Sequence, residues 1–286
     1  MIPAGFDYHA PDSVAEALRL LDELDDAKLL AGGHSLLPMM KLRFAQPAHL
    51  VDLGRIPGLS GIREEGDVVV IGAMTVENEL IRSEIIRRRV PLLAEAAALI
   101  ADPQVRNRGT IGGDIAHGDP GNDHPALAIA LDAGFVLEGP GGRRPVKAED
   151  FFLGTFMTEL ADNEILVEIR VPGLAPHTGQ AYEKLKRKTG DWATAGAAVV
   201  ITIEQGKVGA VRIGLTNLAP SALRAEAAEQ ALLGQPLSET TIEDAATRAA
   251  AICDPAEDLR GDRDYKLAMA RQMVKRAIRK AAARCP

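Results

Sequence analysis

Apolar positions along this chain follow two periods, and the stretches where both fail carry the chemistry. Val14, Ala17, Leu18 and Leu21 fall at i, i+3, i+4 and i+7, the apolar stripe of a helix. Ser13 and Glu16 stand at its start in capping-box spacing, just after Pro11-Asp12. Residues 27–31 read as a short strand, 36–43 as a helix and 49–53 as a second strand. A strand–helix–strand unit of this length implies a parallel pair with a right-handed crossover. After the turn Glu65-Gly66-Asp67, residues 68–71 form a buried-type strand. Thr75 is placed to cap a short helix over 76–81, and a longer helix spans about 91–101 with Pro91 in its first turn. Asp102-Pro103 stops it. Residues 125–131 predict an apolar helix, and 135–137, 143–146 and 164–171 predict antiparallel strands.

The pattern changes after Pro172-Gly173-Leu174-Ala175-Pro176. Residues 181–187, 196–204 and 208–215 predict three strands, the last two joined as a hairpin across Gln205-Gly206-Lys207. Val208, Val211, Ile213 and Leu215 mostly alternate. Ala-rich helices follow over about 223–233, closed by Gly234, then 239–252 and 262–283. There is no internal repeat and no low-complexity tail.

A chain of 286 residues suggests about two domains, each large enough for its own core. A net charge of −7, with no basic cluster interleaved with aromatics, argues against nonspecific nucleic-acid binding. No apolar run reaches the length of a membrane span, and the N-terminus has no apolar signal region, so a cytoplasmic protein is expected. Cys253 and Cys285 are far apart and read as free thiols. Two cysteines cannot hold an iron–sulfur cluster through four thiolates, and no metal site is expected.

The aperiodic stretch from Arg106 to Asp123 contains five glycines, Thr110, Pro120 and three aspartates. It reads either as a glycine-rich turn between helices or as a backbone surface whose N–H groups cradle an anion. A second stretch, Ala31-Gly32-Gly33-His34-Ser35, stands at the carboxyl end of a strand, where open α/β sheets place ligands. Two such nests suggest a diphosphate held from two sides. Neither a P-loop nor Gly-x-Gly-x-x-Gly after a strand is present, which weakens ATP and NAD readings.

Four segments carry a family resemblance over essentially the whole chain: residues 31–43, Arg108-Gly109-Thr110-Ile111-Gly112-Gly113, His117-Gly118-Asp119-Pro120-Gly121-Asn122-Asp123, and residues 184–196. The chain resembles the medium, FAD-binding subunits of molybdenum hydroxylases of the xanthine dehydrogenase type. The resemblance implies an α+β fold. A two-part FAD-binding domain of the PCMH type over 1–176, with a small parallel βαβ part (about 1–57) and a mixed antiparallel α+β part (58–176), precedes a C-terminal domain over 177–286 with three antiparallel strands and a helical bundle. It implies noncovalent FAD lined by Leu29, Leu30, Ala31, Gly32, Gly33, His34, Ser35 and Leu36, and by Gly109, Thr110, Ile111, Gly112, Gly113 and Asp114. Asp123 would accept hydrogen bonds from the flavin or ribityl chain, Leu166 would lie near the adenine, Lys184 would reach the flavin and Trp192 would abut its ring. Where the family has Ser or Asn, this chain has Asp114. A carboxylate beside a diphosphate is repulsive, so its contact is expected through the backbone or to a ribose hydroxyl.

The resemblance further implies partners: a small iron–sulfur subunit with 2Fe–2S clusters and a large subunit with the molybdenum cofactor, assembled as a dimer of heterotrimers. Carbon monoxide, an aldehyde or an N-heterocycle is the substrate of such an assembly, with carbon monoxide favoured by the likeness. Membrane association would be peripheral, at the inner face, through the electron acceptor. Some relatives with this fold link flavin to a histidine; for His34 a polar loop role is the alternative. His117 reads as a loop hydrogen-bonder, Asp119 and Asp123 as turn formers and ligand contacts rather than an acid/base pair, and Arg106 and Arg108 either as phosphate neutralisers or as solvated surface. No catalytic side chain is assigned. The competing function is a self-sufficient flavin reductase or oxidase; a nucleotide-binding scaffold without redox work is a third. A flavin spectrum separates the third from the others, and reduction by a small substrate without partner chains separates the other two.

Overall fold

The computed structural model describes residues 1–286. The first unit runs β1 (Asp7–His9), α1 (Val14–Glu23), β2 (Ala27–Leu30), α2 (Leu36–Lys41) and β3 (His49–Asp52). Ser13 Oγ accepts the Glu16 N–H at 3.1 Å, as the capping spacing predicts. The return bond differs: Glu16 accepts from the N–H of Asp12 rather than Ser13. Ala17 and Leu18 are buried, and Val14 and Leu21 pack on the same cluster. Strands β2 and β3 are parallel, from Ala27 opposite His49 to Leu30 opposite Asp52. The polar strand β1, invisible to periodicity, adds to the far side of β3, also parallel, giving the order β1-β3-β2.

The middle of the chain comprises β4 (Ile62–Glu65), β5 (Val68–Gly72), α3 (Glu77–Arg82), α4 (Glu84–Arg89), α5 (Pro91–Ala97), α6 (Pro103–Arg106), α7 (Ile111–His117), α8 (Asp123–Ala130), β6 (Gly134–Gly139), β7 (Gly142–Lys147), α9 (Ala148–Phe151), β8 (Phe152–Gly154), β9 (Met157–Thr158) and β10 (Ile165–Pro172). An antiparallel sheet of order β4-β5-β10-β6-β7 is its spine. Both faces of this sheet are apolar, and a β-bulge in β10 between Leu166 and Glu168 exchanges which alternate side chains point to which face. Ile165 and Val167 join the parallel unit's core, while Leu166, Ile169 and Val171 join the larger helical core. Two expectations about helix ends fail. Thr75 caps nothing; its hydroxyl bonds Gly61 N–H and C=O instead. The helix from Pro91 ends at Ala97, and Asp102-Pro103 starts α6, with Asp102 Oδ1 accepting from Gln104 and Val105. The extended backbone that proline imposes on its predecessor is also the N-cap conformation, so the same pair serves as a stop or a start.

The last part contains β11 (Thr178–Leu185), β12 (Ala195–Glu204), β13 (Lys207–Thr216), β14 (Leu223–Arg224), α10 (Glu226–Leu232), α11 (Glu239–Ala251) and α12 (Arg263–Ala282). Residues 223–224, expected to open a helix, add a fourth strand to the sheet β11-β12-β13-β14. The imperfect alternation after Val208 has its cause in a register shift between Thr202 and Ile203. Both faces of this sheet are apolar. Ala197, Val199 and Ile201 face the C-terminal helices, whereas Tyr182 and Ala198 join the core of the middle part. Between the two sheets lies α8, buried along all eight residues. No helix is long and apolar enough to cross a membrane.

Candidate functional site

The turn after β2 displays backbone donors. Gly33 adopts φ +76°, a left-handed conformation that glycine takes without a side-chain clash. The N–H groups of Gly32, Gly33, His34 and Ser35 donate to no protein acceptor. The His34 ring is exposed and its Nδ1 lies 2.9 Å from the Gly32 carbonyl, which folds it back on its own turn. Ser35 precedes α2 without capping it, so its hydroxyl is free. Four successive unpartnered donors stand at the carboxyl end of a strand, as an anion nest requires.

The second motif is built differently, and the reading of it as a nest is corrected. Gly112 and Gly113 lie inside α7, not in a loop. Their N–H groups are engaged: Gly109 with Val105, Ile111 with Thr75, Gly112 with Ala73, Gly113 with the Thr110 hydroxyl and Asp114 with the Thr110 carbonyl. Absence of a side chain here allows close approach. A Cβ on Gly112 would strike Ala73 and sit 2.6 Å from its carbonyl oxygen. One on Gly113 would sit 2.8 Å from Thr110 Oγ1 and 3.2 Å from the Ala31 Cβ. One on Gly32 would strike the Arg108 carbonyl and lie 2.8 Å from the Gly109 Cα. The two motifs therefore touch, as a ligand held from two sides requires, with the first supplying the free donors and the second the surface behind them.

Below them lies a buried polar cluster. Asp123, first residue of α8, accepts from Tyr182 Oη at 2.5 Å and Lys184 Nζ at 2.6 Å. Asp123 and Lys184 side chains are 4% and 2% exposed, so this is a closed ion pair joining α8 to β11. Asp123 and Lys184 therefore already hold each other within the protein. Burial, then the neighbouring Asp123 carboxylate, pushes the Tyr182 hydroxyl well above its ordinary range. His124 Nε2 lies 2.9 Å from Glu77, again with both groups buried. Burial alone would lower the His124 pKa, but Glu77, Asp114 and Asp123 outweigh it and raise it to about 9. His124 is thus held toward its protonated form by the carboxylates around it. Asp114 Oδ2 and His124 Nδ1 are buried without a hydrogen-bond partner. Burial pushes the Asp114 pKa up to about 7, with Glu77, Asp123 and Asp119 adding to it and His124 opposing. Periodicity could not find Glu77 and His124; the only signal was a charged pair, Asp123-His124, opening an otherwise apolar helix.

An exposed apolar rim surrounds the loop after α7. Gly118, at φ +64°, closes that helix. Asp119 Oδ1 accepts the Gly121 N–H at 2.8 Å, the turn role expected of it. The Trp192 ring is 51% exposed and lies on Gly121, with its Nε1 3.4 Å from Asn122 Oδ1 and the Arg260 guanidinium 5.6 Å from its centroid. His117 packs on Phe156 of the β8–β9 hairpin at 4.9 Å, and burial lowers its pKa. The Leu166 side chain is 4% exposed within the helical core, so the expected adenine contact does not fall to its side chain. Arg106 Nη1 binds the Ile100 carbonyl at 2.7 Å, a structural role, while Arg108 is exposed. No His, Cys, Asp and Glu cluster is arranged to hold a metal ion.

Comparison with known proteins agrees with this architecture. Residues 4–174 match the FAD binding domain in molybdopterin dehydrogenase, and residues 180–281 match the CO dehydrogenase flavoprotein C-terminal domain. The chain belongs to the FAD-binding subunit family of the molybdopterin dehydrogenases, and is an FAD-dependent oxidoreductase subunit. Within that family it is 69% identical over 286 residues to the carbon monoxide dehydrogenase medium chain of Hydrogenophaga pseudoflava, covering 100% of both chains. It is 51% identical over 285 residues to the corresponding chain of Afipia carboxidovorans, covering 99% of each. A solved structure of the Hydrogenophaga pseudoflava enzyme, lacking the Mo-pyranopterin moiety, matches at a TM-score of 0.99 and 71% identity over 100% of both chains.

Proposed function

We propose that this chain is the electron-transferring medium subunit of an assembly that oxidises carbon monoxide, with FAD held noncovalently between the two glycine motifs. The observation that carries the site assignment is the row of four unpartnered N–H groups from Gly32 to Ser35, seated against the Arg108–Gly113 backbone. In this reading they donate to the FAD diphosphate. Leu29, Leu30, Ala31, His34 and Leu36 line that turn, Gly109 to Gly113 form the wall behind it, and Trp192 covers the flavin edge. Leu166 enters through its main chain. The Tyr182–Asp123–Lys184 contact fixes the loop on which Trp192 rests. Bound FAD supplies the exchange of electrons between a cluster-bearing partner and an external acceptor.

Domain limits at 1–176, divided near residue 57, and 177–286 complete the reading. So do a small iron–sulfur chain with 2Fe–2S clusters, a large chain with the molybdenum cofactor, and a dimer of heterotrimers in the cytoplasm that meets its acceptor at the inner membrane face. The rim of Trp192, Phe156 and Met157, exposed around the 117–123 loop, suits a partner that must come close to the flavin edge. The test is anaerobic. The purified, FAD-loaded chain alone should show a flavin spectrum, release free FAD on denaturation, and stay oxidised under carbon monoxide or an aldehyde. Bleaching by either substrate without partner chains would instead support the self-sufficient flavin enzyme.

A further inference from the structure

The buried cluster beneath the glycine motifs contains one carboxyl too many. Glu77 is paired with His124, and Asp123 with Lys184 and Tyr182. Asp114 has no cation of its own, and its buried Oδ2 has no donor. The groups around it are His124 and Asp123 from α8, Glu77 from α3, Asp119 from the following loop and Tyr182 from β11. Only His124 among them is cationic, and its Nε2 is already held by Glu77. An ionised Asp114 would therefore be the one carboxylate of the cluster with neither a cation nor a hydrogen-bond donor at its buried oxygen. It also follows Gly113 directly, and Gly113 faces Ala31 across the contact between the motifs.

The inference rests on the FAD reading above. A dianionic diphosphate at the Gly32–Ser35 turn brings like charge to the contact between Ala31 and Gly113, one residue along the chain from Asp114, where water screens it poorly. With no cation and no donor on its buried oxygen, the carboxyl can remove its share of the repulsion by holding a proton. We propose that FAD binds with Asp114 as the neutral acid, so that uptake of the cofactor draws a proton onto this side chain. Asp114 is then a residue that sets cofactor affinity through charge, not a catalytic acid. Its burial and raised pKa mean that little reorganisation is needed to reach that state near neutral pH.

The experiment is calorimetric titration of the full-length, flavin-stripped chain with FAD at about pH 8, in buffers of different ionisation heat, which counts protons taken up. Wild type should take up a measurable fraction of a proton, and its affinity should fall by up to ~tenfold per pH unit above the Asp114 titration. Asp114→Asn, which is neutral at every pH, should show less uptake and a flatter profile. Asp114→Ser serves as a second neutral variant should the first fold poorly. Equal proton counts and parallel pH profiles in wild type and both neutral variants would overturn this inference and leave the FAD reading intact. A well-folded chain that binds no FAD at any pH would overturn both.

Discussion

The two glycine motifs are alike as text and opposite as structure. In Gly32-Gly33 the chain turns left-handed and leaves four N–H groups free. In Gly112-Gly113 it enters a helix, every N–H is taken, and the missing side chains admit Ala73 and Ala31. A Gly-Gly pair thus reports only that a Cβ is excluded. Protein atoms exclude it at Gly32 as they do at Gly112; the motifs differ in whether the neighbouring amides are free or bonded.

That contrast can be broken most sharply at Gly112. Gly112→Val should cost at least ~3 kcal/mol of stability, at the upper end of overpacking penalties, because its methyl groups meet the Ala73 backbone. Denaturant unfolding of the flavin-free chain measures it. A variant that keeps wild-type stability yet loses FAD would reverse the roles assigned to the two motifs.

The second motif also carries a charge that the first lacks, and pH exposes it. The Asp114 pKa rises from 3.8 unfolded to about 7 folded. Between these values the unfolded chain releases a proton that the folded chain keeps, so stability falls as pH rises through this window and stays lower above it. With one carboxylate oxygen enclosed and the residue as a whole half-buried, the loss is on the order of 2 kcal/mol. Thermal melts of wild type and Asp114→Asn across pH 4 to 8 should diverge, the variant gaining relative stability toward the alkaline end. Parallel curves would mean that Asp114 is solvated in the folded chain.

Gly33→Ala tests the first motif. The left-handed φ should cost about 1 kcal/mol of flavin-free stability and roughly tenfold in FAD affinity, read by flavin fluorescence. An unchanged affinity would count against the nest. The smallest contrast is between hydroxyls. Thr110→Ala removes a helix cap and should lose about 1 kcal/mol. Ser35→Ala caps nothing in α2, so its flavin-free melt should match wild type.

Sequence pattern made much of the fold legible. Where one face of an element is buried, as in α1 or β2–β3, apolar spacing located it to within a residue or two. Periodicity failed at β1, whose Asp7-Tyr8-His9 is held by main-chain pairing to β3, and at β14, two residues that pair with β13. The candidate site divides in the same way. Both glycine motifs were visible because glycine is a local signal. The cluster of Glu77, His124, Asp123, Lys184 and Tyr182 was not, because its partners come from α3, α8 and β11, up to 61 residues apart in its direct contacts. Asp123 and Lys184 were picked out individually, but nothing local shows that each is the other's partner.

Helix α8 has a consequence for how this protein can change. Its eight residues are covered by the middle part on one side and by β12 and β13 on the other, and the Asp123–Lys184 pair fastens its first turn to β11. Sequence on either side of residues 172–176 must therefore vary in concert. A chimaera joining the N-terminal portion of this chain to the C-terminal portion of a distant relative would inherit two half-sockets for one helix. Exchange at that junction should succeed between close relatives and fail between remote ones, even though the proline-rich linker looks like a natural place to cut.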